Sequence, residues 1–306
     1  MGVAREYLFG GQQRRPPRPL AAIDPRHGWA RPIASGLRAT WLGHSTVLLE
    51  IDGLRVLTDP VWSERISPFG VAAPRRFQPV PIRVADLPPL DAIVISHDHF
   101  DHLDHGTIQA LADRPTPYIV PLGVGMYLDA WGVPPERIIE LDWWESTDLR
   151  GLRLTATPSQ HFSGRVGNRN KTLWASFVIE TERRRVFFSG DTALTPEFED
   201  VRTRFAPFDL VMLEVGGFHP SWDHVHLGPD NALEALRMLG GGPFMPVHWG
   251  TFNLALHAWD YPAEALHAKN IDLLMPQLGA AFEPVHGLPR TAWWRAAEPE
   301  LLRVAG

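Results

Sequence analysis

Residues 91–105 read DAIVISHDHFDHLDH, an apolar run that breaks into His97, His99, His102 and His105 interleaved with Asp98, Asp101 and Asp104. A short, continuously apolar stretch such as DAIVIS reads as a strand buried on both faces. The titratable groups that follow it could not be buried without partners. Along extended backbone the side chains at i and i+2 point to the same side, so His97 and His99 converge. Asp101 and His102 come as the chain turns toward a helix, and they can face a second point nearby. Neutral imidazole and carboxylate are zinc ligands. The spacing HxHxDH after a buried strand therefore predicts a metal site. His105 is expected to flank the following helix, and Asp98 to point away from the site.

The whole chain narrows the chemistry. Its 306 residues are 44% hydrophobic, enough for one large domain or two small ones with a real core. It contains no cysteine, which removes disulfides, thiolate metal sites and cysteine nucleophiles. A metal site must then be built from His and carboxylate, which suits zinc, with manganese or iron as alternatives. The net charge of −6 does not favour a nucleic-acid partner, and no run approaches the roughly 18 apolar residues of a membrane span. The opening MGVAREYLFGGQQRRPPRPL has no continuous apolar stretch, so a secretory signal is not expected and a cytoplasmic location is the default.

Residues 1–36, rich in Pro, Arg and Gly, read as a tail or wrapping arm, most simply a solvated extended segment. Within it Arg14, Arg15 and Arg18 could meet an acidic surface. Residues 37–306 are then expected to form one folded domain, with no boundary after residue 37. LRATWLGH, STVLLEI and LRVLTD read as strands, with Asp52-Gly53 as a type I′ hairpin turn. Residues 60–90 form a long Pro-punctuated loop. Strands are expected at YIVPL, RIIEL, LRLTATP, TLWASFVIE, RRVFFSG, DLVMLEV and FMPVHW, with a final one at DLLMP. Helices are expected at GTIQALAD, GVGMYLDAWG, PEFEDVRTRF, PDNALEALRML and PAEALHAK. The pattern is α/β, with sheets in the middle and helices outside.

Three strand ends deliver further candidate ligands: His161 after LRLTATP, Asp191 in SGDT, and His248 in PVHWG. Site residues gather at such ends in layered α/β folds. With HxHxDH they make a complete two-metal set. There is no GxSxG elbow, P-loop or GxGxxG, so metal-assisted hydrolysis is the favoured reaction.

The order HxHxDH, His, Asp, His resembles the metallo-β-lactamase superfamily. The segments WLGHSTVLLE, LTDPVWSERISP, SHDHFDHLD, ELDWWE, PSQHFSGR, NKTLWASFVIE, SGDT and PVHWGTF resemble the branch containing N-acyl-phosphatidylethanolamine-hydrolysing phospholipase D. The ascorbate-6-phosphate lactonase branch is a more distant likeness. The resemblance implies a four-layer αβ/βα sandwich. It also implies two zinc ions, one held by His97, His99 and His161, the other by Asp101, His102 and His248, with Asp191 bridging. Two such ions can share a hydroxide and polarise a substrate oxygen. Asp101 would orient that nucleophile, and His226, in a His-x-x-Pro segment, would hydrogen-bond the phosphate or leaving group. A homodimer is usual for this branch.

The expected substrate is a lipid-like or smaller phosphodiester, with at most peripheral membrane contact. A lactonase, esterase or amidase on the same metals is the alternative, and a non-catalytic metal-binding module a weaker one. Trp62, Ile66, Phe69 and Phe77 could wall the site, and Arg75 with Arg76 could meet a phosphate; alternatively they only pack the loop or face solvent. Trp143, Trp144, Trp174 and Trp249 read as packing residues, and His44 as a structural residue near the site floor. His219 and His224 are weaker site candidates.

Overall fold

The structure, a computed structural model, describes residues 3–67, 73–165 and 167–297. Phe69 lies outside the described residues. The first strands are β1 Leu37–Gly43, β2 Thr46–Ile51 and β3 Leu54–Thr58. Asp52 and Gly53 both take positive φ (47° and 87°), the pair that a type I′ turn requires. The chain continues through β4 Ala92–Val94, β5 Tyr118–Pro121, β6 Ile138–Leu141, β7 Ser146–Leu149 and β8 Leu152–Thr157. A small hairpin, β9 Gly164–Arg165 and β10 Asn168–Arg169, precedes β11 Ser176–Glu180, β12 Arg185–Phe188, β13 Leu210–Glu214, β14 Phe244–Val247 and β15 Ala281–Phe282. The helices are α1 Val3–Phe9, α2 Arg26–Trp29, α3 His105–Leu111, α4 Gly125–Ala130, α5 Glu197–Phe205, α6 Gly228–Met238 and α7 Tyr261–His267.

Two sheets result, in the orders β15-β1-β2-β3-β4-β5-β6 and β14-β13-β12-β11-β8-β7. Strand alternation explains how they stack. In β2, Val47, Leu49 and Ile51 join the core shared with the second sheet, where Phe177, Phe187 and Met212 lie. Leu48, between them, faces the other way, into a core with Ile108 and Leu111 of α3 and Leu128 of α4. Helices α5, α6 and α7 place Phe198, Ala235 and Leu266 on the second sheet. Period-two strands with apolar residues at every position thus produce helix, sheet, sheet, helix. No helix among the described residues is long and apolar enough to cross a membrane.

Two expectations need correction. The segment DLLMP is not a strand; Leu273 makes one isolated bridge to Phe244. Phe244 exchanges backbone bonds with Asp272 and Leu274, but Pro276 has no N–H to continue a ladder. Residues 281–282 pair with β1 at the far edge of the other sheet. The arm 1–36 is not a solvated extended segment either. It contains α1 and α2, buries Leu20, and bonds to the body where Gln13 O accepts from Trp259 N at 3.0 Å and Ile23 N donates to Leu278 O at 2.8 Å.

Phe187 is fully buried between the sheets and α5, with its ring 6.1 Å from Phe198 and 5.8 Å from Phe208. Phe187→Ala is expected to cost about 3–5 kcal/mol of stability, read from the urea midpoint at unchanged slope. A loss below ~1 kcal/mol would contradict this packing.

Candidate metal centre

The predicted ligands sit where strands run out. His97, His99, Asp101 and His102 follow β4, His161 follows β8, Asp191 follows β12 and His248 follows β14. Gly190 lets two of these ends meet: at φ +54, a Cβ there would stand 2.5 Å from the Cβ of Ser96. Most of the donor atoms form two groups, and a third set brings Asp191, His226 and His248 together. In one, His97, His99, His161 and Asp191 present atoms all within 4.8 Å of one another. In the other, so do His44, Asp101, His102 and His248.

Asp191 joins the groups. Its Oδ2 lies 3.2 Å from Nε2 of both His102 and His248, 3.9 Å from His97 Nε2 and 3.8 Å from His161 Nε2. His97 Nε2 and His99 Nδ1 are 2.8 Å apart, and His161 Nε2 is 3.3 Å from the same His99 nitrogen. Nitrogens so converged need either a proton between each pair or one shared cation. Three buried atoms, His102 Nε2, His248 Nε2 and Asp191 Oδ1, have no hydrogen-bond partner among the described residues. Orphaned donor atoms around one point fit a bound divalent ion.

The outer partners fix which edge of each ring faces inward. His161 Nδ1 donates to Val225 O at 3.0 Å, which leaves Nε2 as its lone-pair edge. His97 Nδ1 lies 2.9 Å from Ser96 Oγ, which in turn donates to Asp59 Oδ2 at 2.6 Å. The same Asp59 oxygen lies 2.6 Å from His102 Nδ1. One buried carboxylate therefore orients rings from both groups. Asp98 points away as expected: its Oδ1 accepts from Gly164 N at 2.6 Å. His105 is the first residue of α3, against Trp131.

Electrostatics separates the groups. Burial pushes His97, His99 and His161 below the ordinary imidazole range and holds them neutral, the form that ligates. Burial also works on His102 and His248, but the carboxylates of Asp191 and Asp101 outweigh it. They hold His102 well above its ordinary value and push His248 up to about 10. Burial would likewise raise Asp101 and Asp191; the imidazoles, His102 first, keep both well below the carboxylate range. Without an ion, protons on His102 and His248 do the work of a cation.

Three participating residues had no assigned site role in the sequence reading. His44, expected only near the floor, is pushed down to about 3 by burial and by His248, and its neutral Nε2–H donates to Asp101 Oδ2 at 2.9 Å. Asp59 directly follows strand β3 in LTDP, and Glu214 ends the apolar strand LVMLE. An acidic residue at or just past a strand end was the available signal. Glu214 Oε1 accepts from Leu227 N at 2.7 Å and lies 3.1 Å from His226 Nδ1, so it aims His226. Gly217, at φ +69, makes room: a Cβ there would stand 3.1 Å from His248 Cε1 and 3.2 Å from His226 Nε2.

The 60–90 loop is used differently from one of its two expectations. Arg76 is buried and donates to Val61 O at 2.7 Å, while Arg75 pairs with Glu64, so neither is offered to a phosphate in the site. Trp62 Nε1 donates to Ile82 O, Ile66 packs with Val61 and Phe252, and Phe77 meets Trp259. Trp143 and Trp174 are tied by a 2.7 Å bond, Trp249 stacks on Trp41, and Trp144 lies under Arg204. His224 is exposed, and His219 pairs with Glu6 of α1.

A family model described as the β-lactamase superfamily domain matches residues 54–249. The chain belongs to that superfamily. It is 44% identical over 301 residues to an uncharacterised protein of Mycobacterium tuberculosis, covering 96% of this chain and 80% of that one. It is 35% identical over 232 residues to N-acyl-phosphatidylethanolamine-hydrolyzing phospholipase D 1 of Caenorhabditis elegans, covering 71% of this chain and 65% of that one. Among solved structures, Igni18, a metallo hydrolase from Ignicoccus hospitalis, shares the fold with a TM-score of 0.61 at 20% identity, over 81% of this chain and 98% of that one. The chain is a metal-dependent hydrolase with the metallo-β-lactamase fold and His/Asp clusters able to bind metal.

Metal ligation by imidazole requires its lone pair, so metal uptake must expel the protons on His102 and His248. Calorimetric titration of metal-free protein with zinc near pH 7, in buffers of different ionisation enthalpy, is expected to show about two protons released. Affinity should weaken as pH falls. Zinc binding without proton release would contradict the charge state assigned to these rings.

Proposed function

We propose that this chain is a dinuclear zinc-dependent phosphodiesterase of phospholipase D type. Its substrates would be N-acyl-phosphatidylethanolamine-like or smaller phosphodiesters. The observation that carries the two-metal reading is Asp191, whose Oδ2 stands between the His97/His99/His161 group and the Asp101/His102/His248 group. The likeness to the nematode phospholipase D supports the phosphodiester. The donor set, wholly imidazole and carboxylate, suits zinc and would also accept manganese or iron.

Two bound metal ions would supply Lewis acidity and an acidified water. The chain's own residues then do the following. His97, His99 and His161 would hold one ion, Asp101, His102 and His248 the other, and Asp191 would serve both. Asp101 orients the attacking water, with its Oδ2 fixed at 2.9 Å by His44 Nε2–H. The water oxygen would bond to phosphorus as the P–O bond to the alcohol breaks, and the proton the water sheds would pass to solvent, from which His226 is reprotonated. His226, anchored through Nδ1 to Glu214 at 3.1 Å, gives a proton from Nε2 to the departing alkoxide.

Zinc-loaded protein is expected to hydrolyse bis(p-nitrophenyl) phosphate and to lose the activity on chelation. Asp191→Asn should abolish turnover, and His226→Gln should lower kcat about 10²-fold at unchanged melting temperature. A dimetal protein that turned over p-nitrophenyl esters or lactones but no phosphodiester would overturn the phosphodiesterase reading.

A further inference from the structure

The loop that carries HxHxDH is grasped from outside by a guanidinium from another part of the chain. Arg165 lies in β9, four residues beyond His161, in the hairpin that pairs Arg165 with Asn168. Its Nη1 donates to Asp98 O at 2.8 Å and to Leu103 O at 2.7 Å. Those two carbonyls bracket His99, Asp101 and His102. The adjacent Gly164 N donates to the Asp98 carboxylate at 2.6 Å. The guanidinium carbon sits 4.0 Å from the Phe100 ring centroid, 5.1 Å from Trp131 and 5.6 Å from Tyr127. The hairpin is itself pinned, since Ser163 O accepts from Asn170 N at 2.9 Å and Ser163 Oγ donates to Thr172 O at 2.7 Å.

The placement is electrostatically costly unless it serves geometry. Arg165 is only 9% exposed. Among the described residues no carboxylate oxygen lies within ion-pair distance of it. The carboxylates of Asp98, Asp104 and Asp101 act on it only from beyond ion-pair distance, and a buried cation so loosely compensated is retained where its hydrogen bonds are needed. Here they end on the two backbone carbonyls that close the ligand loop, and the flat face rests on the aromatic residue inside HxHFDH. Lysine could not do both, because it lacks a planar face.

We propose that Arg165 is a positioning residue that sets the spacing of His99, Asp101 and His102. Through the hairpin it locks that loop to His161, so that ligands from two distant segments are assembled as one unit. This rests on the metal-ligand reading given under Proposed function, not on the choice of substrate. Arg165 touches no reacting atom. Its loss should therefore loosen the metal site and lower kcat while leaving KM unchanged.

The test compares Arg165→Met and Arg165→Lys with Phe100→Leu, each first shown folded by circular dichroism. Metal content after dialysis, the visible spectrum of the cobalt(II)-substituted protein, and kcat and KM on bis(p-nitrophenyl) phosphate are then measured. Arg165→Met is expected to lose metal on dialysis, alter the cobalt spectrum and drop kcat about tenfold or more at constant KM. Arg165→Lys should recover part of each, and Phe100→Leu, which keeps both carbonyl bonds, should change each less. If Arg165→Met does not fold, the same readouts on Arg165→Lys decide, and a wild-type cobalt spectrum and kcat there would overturn the proposal. A lower melting temperature with unchanged cobalt spectrum, or a change confined to KM, would also overturn it. If wild-type protein shows no phosphodiester turnover, the function reading fails, but the metal and cobalt readouts still test Arg165.

Discussion

Everything near the site answers to one buried carboxylate. Asp191 is 3% exposed, and its Oδ2 meets imidazole nitrogens from both donor groups. Burying one ion and five or more imidazoles together is strongly unfavourable unless their charges and lone pairs are matched. Two matches are available: protons on His102 and His248, or divalent cations. The second satisfies more atoms at once, including the orphaned Asp191 Oδ1. The fold can be read as the apparatus that keeps this arrangement from relaxing.

That apparatus is built from strand ends and from backbone held in unusual conformations. His44, Asp59 and His248 all have positive φ, at 55°, 33° and 62°. None is glycine, and all three touch the donor groups. Strain of this kind persists only where surrounding bonds over-determine it. Asp59 accepts from Ser96 N at 2.7 Å and bonds His102, and His248 N donates to His44 O at 3.1 Å. Each strained residue is therefore tied to another site residue. Catalytic geometry and backbone strain are one network.

The sequence made the inner shell legible and the outer shell hardly at all. That His97, His99, Asp101, His102, His161, Asp191 and His248 would meet could be read because a metal site demands particular residue types at strand ends, and that signal is local. Most strands were legible as apolar runs, but their order in the sheets was not, because the split of neighbours such as Leu48 and Leu49 between two cores shows only in the folded chain. The roles of Asp59, Glu214 and Arg165 depend on contacts between segments remote in the chain, such as Arg165 to Leu103, which no local pattern encodes. Residues 281–282 and the single bridge at Leu273 escaped for a related reason: short pairings follow from tertiary docking, not from periodicity. Arg76 shows the converse error, because an arginine in a loop beside a site suggests anion binding until its carbonyl partners are seen.

Anomalous diffraction at the zinc edge from crystals of the zinc-loaded protein tests the central claim most directly. The account predicts two peaks, each about 2.0–2.2 Å from the donor atoms of one group, with Asp191 reaching both. A single peak, or zinc bound away from Asp191, would contradict it.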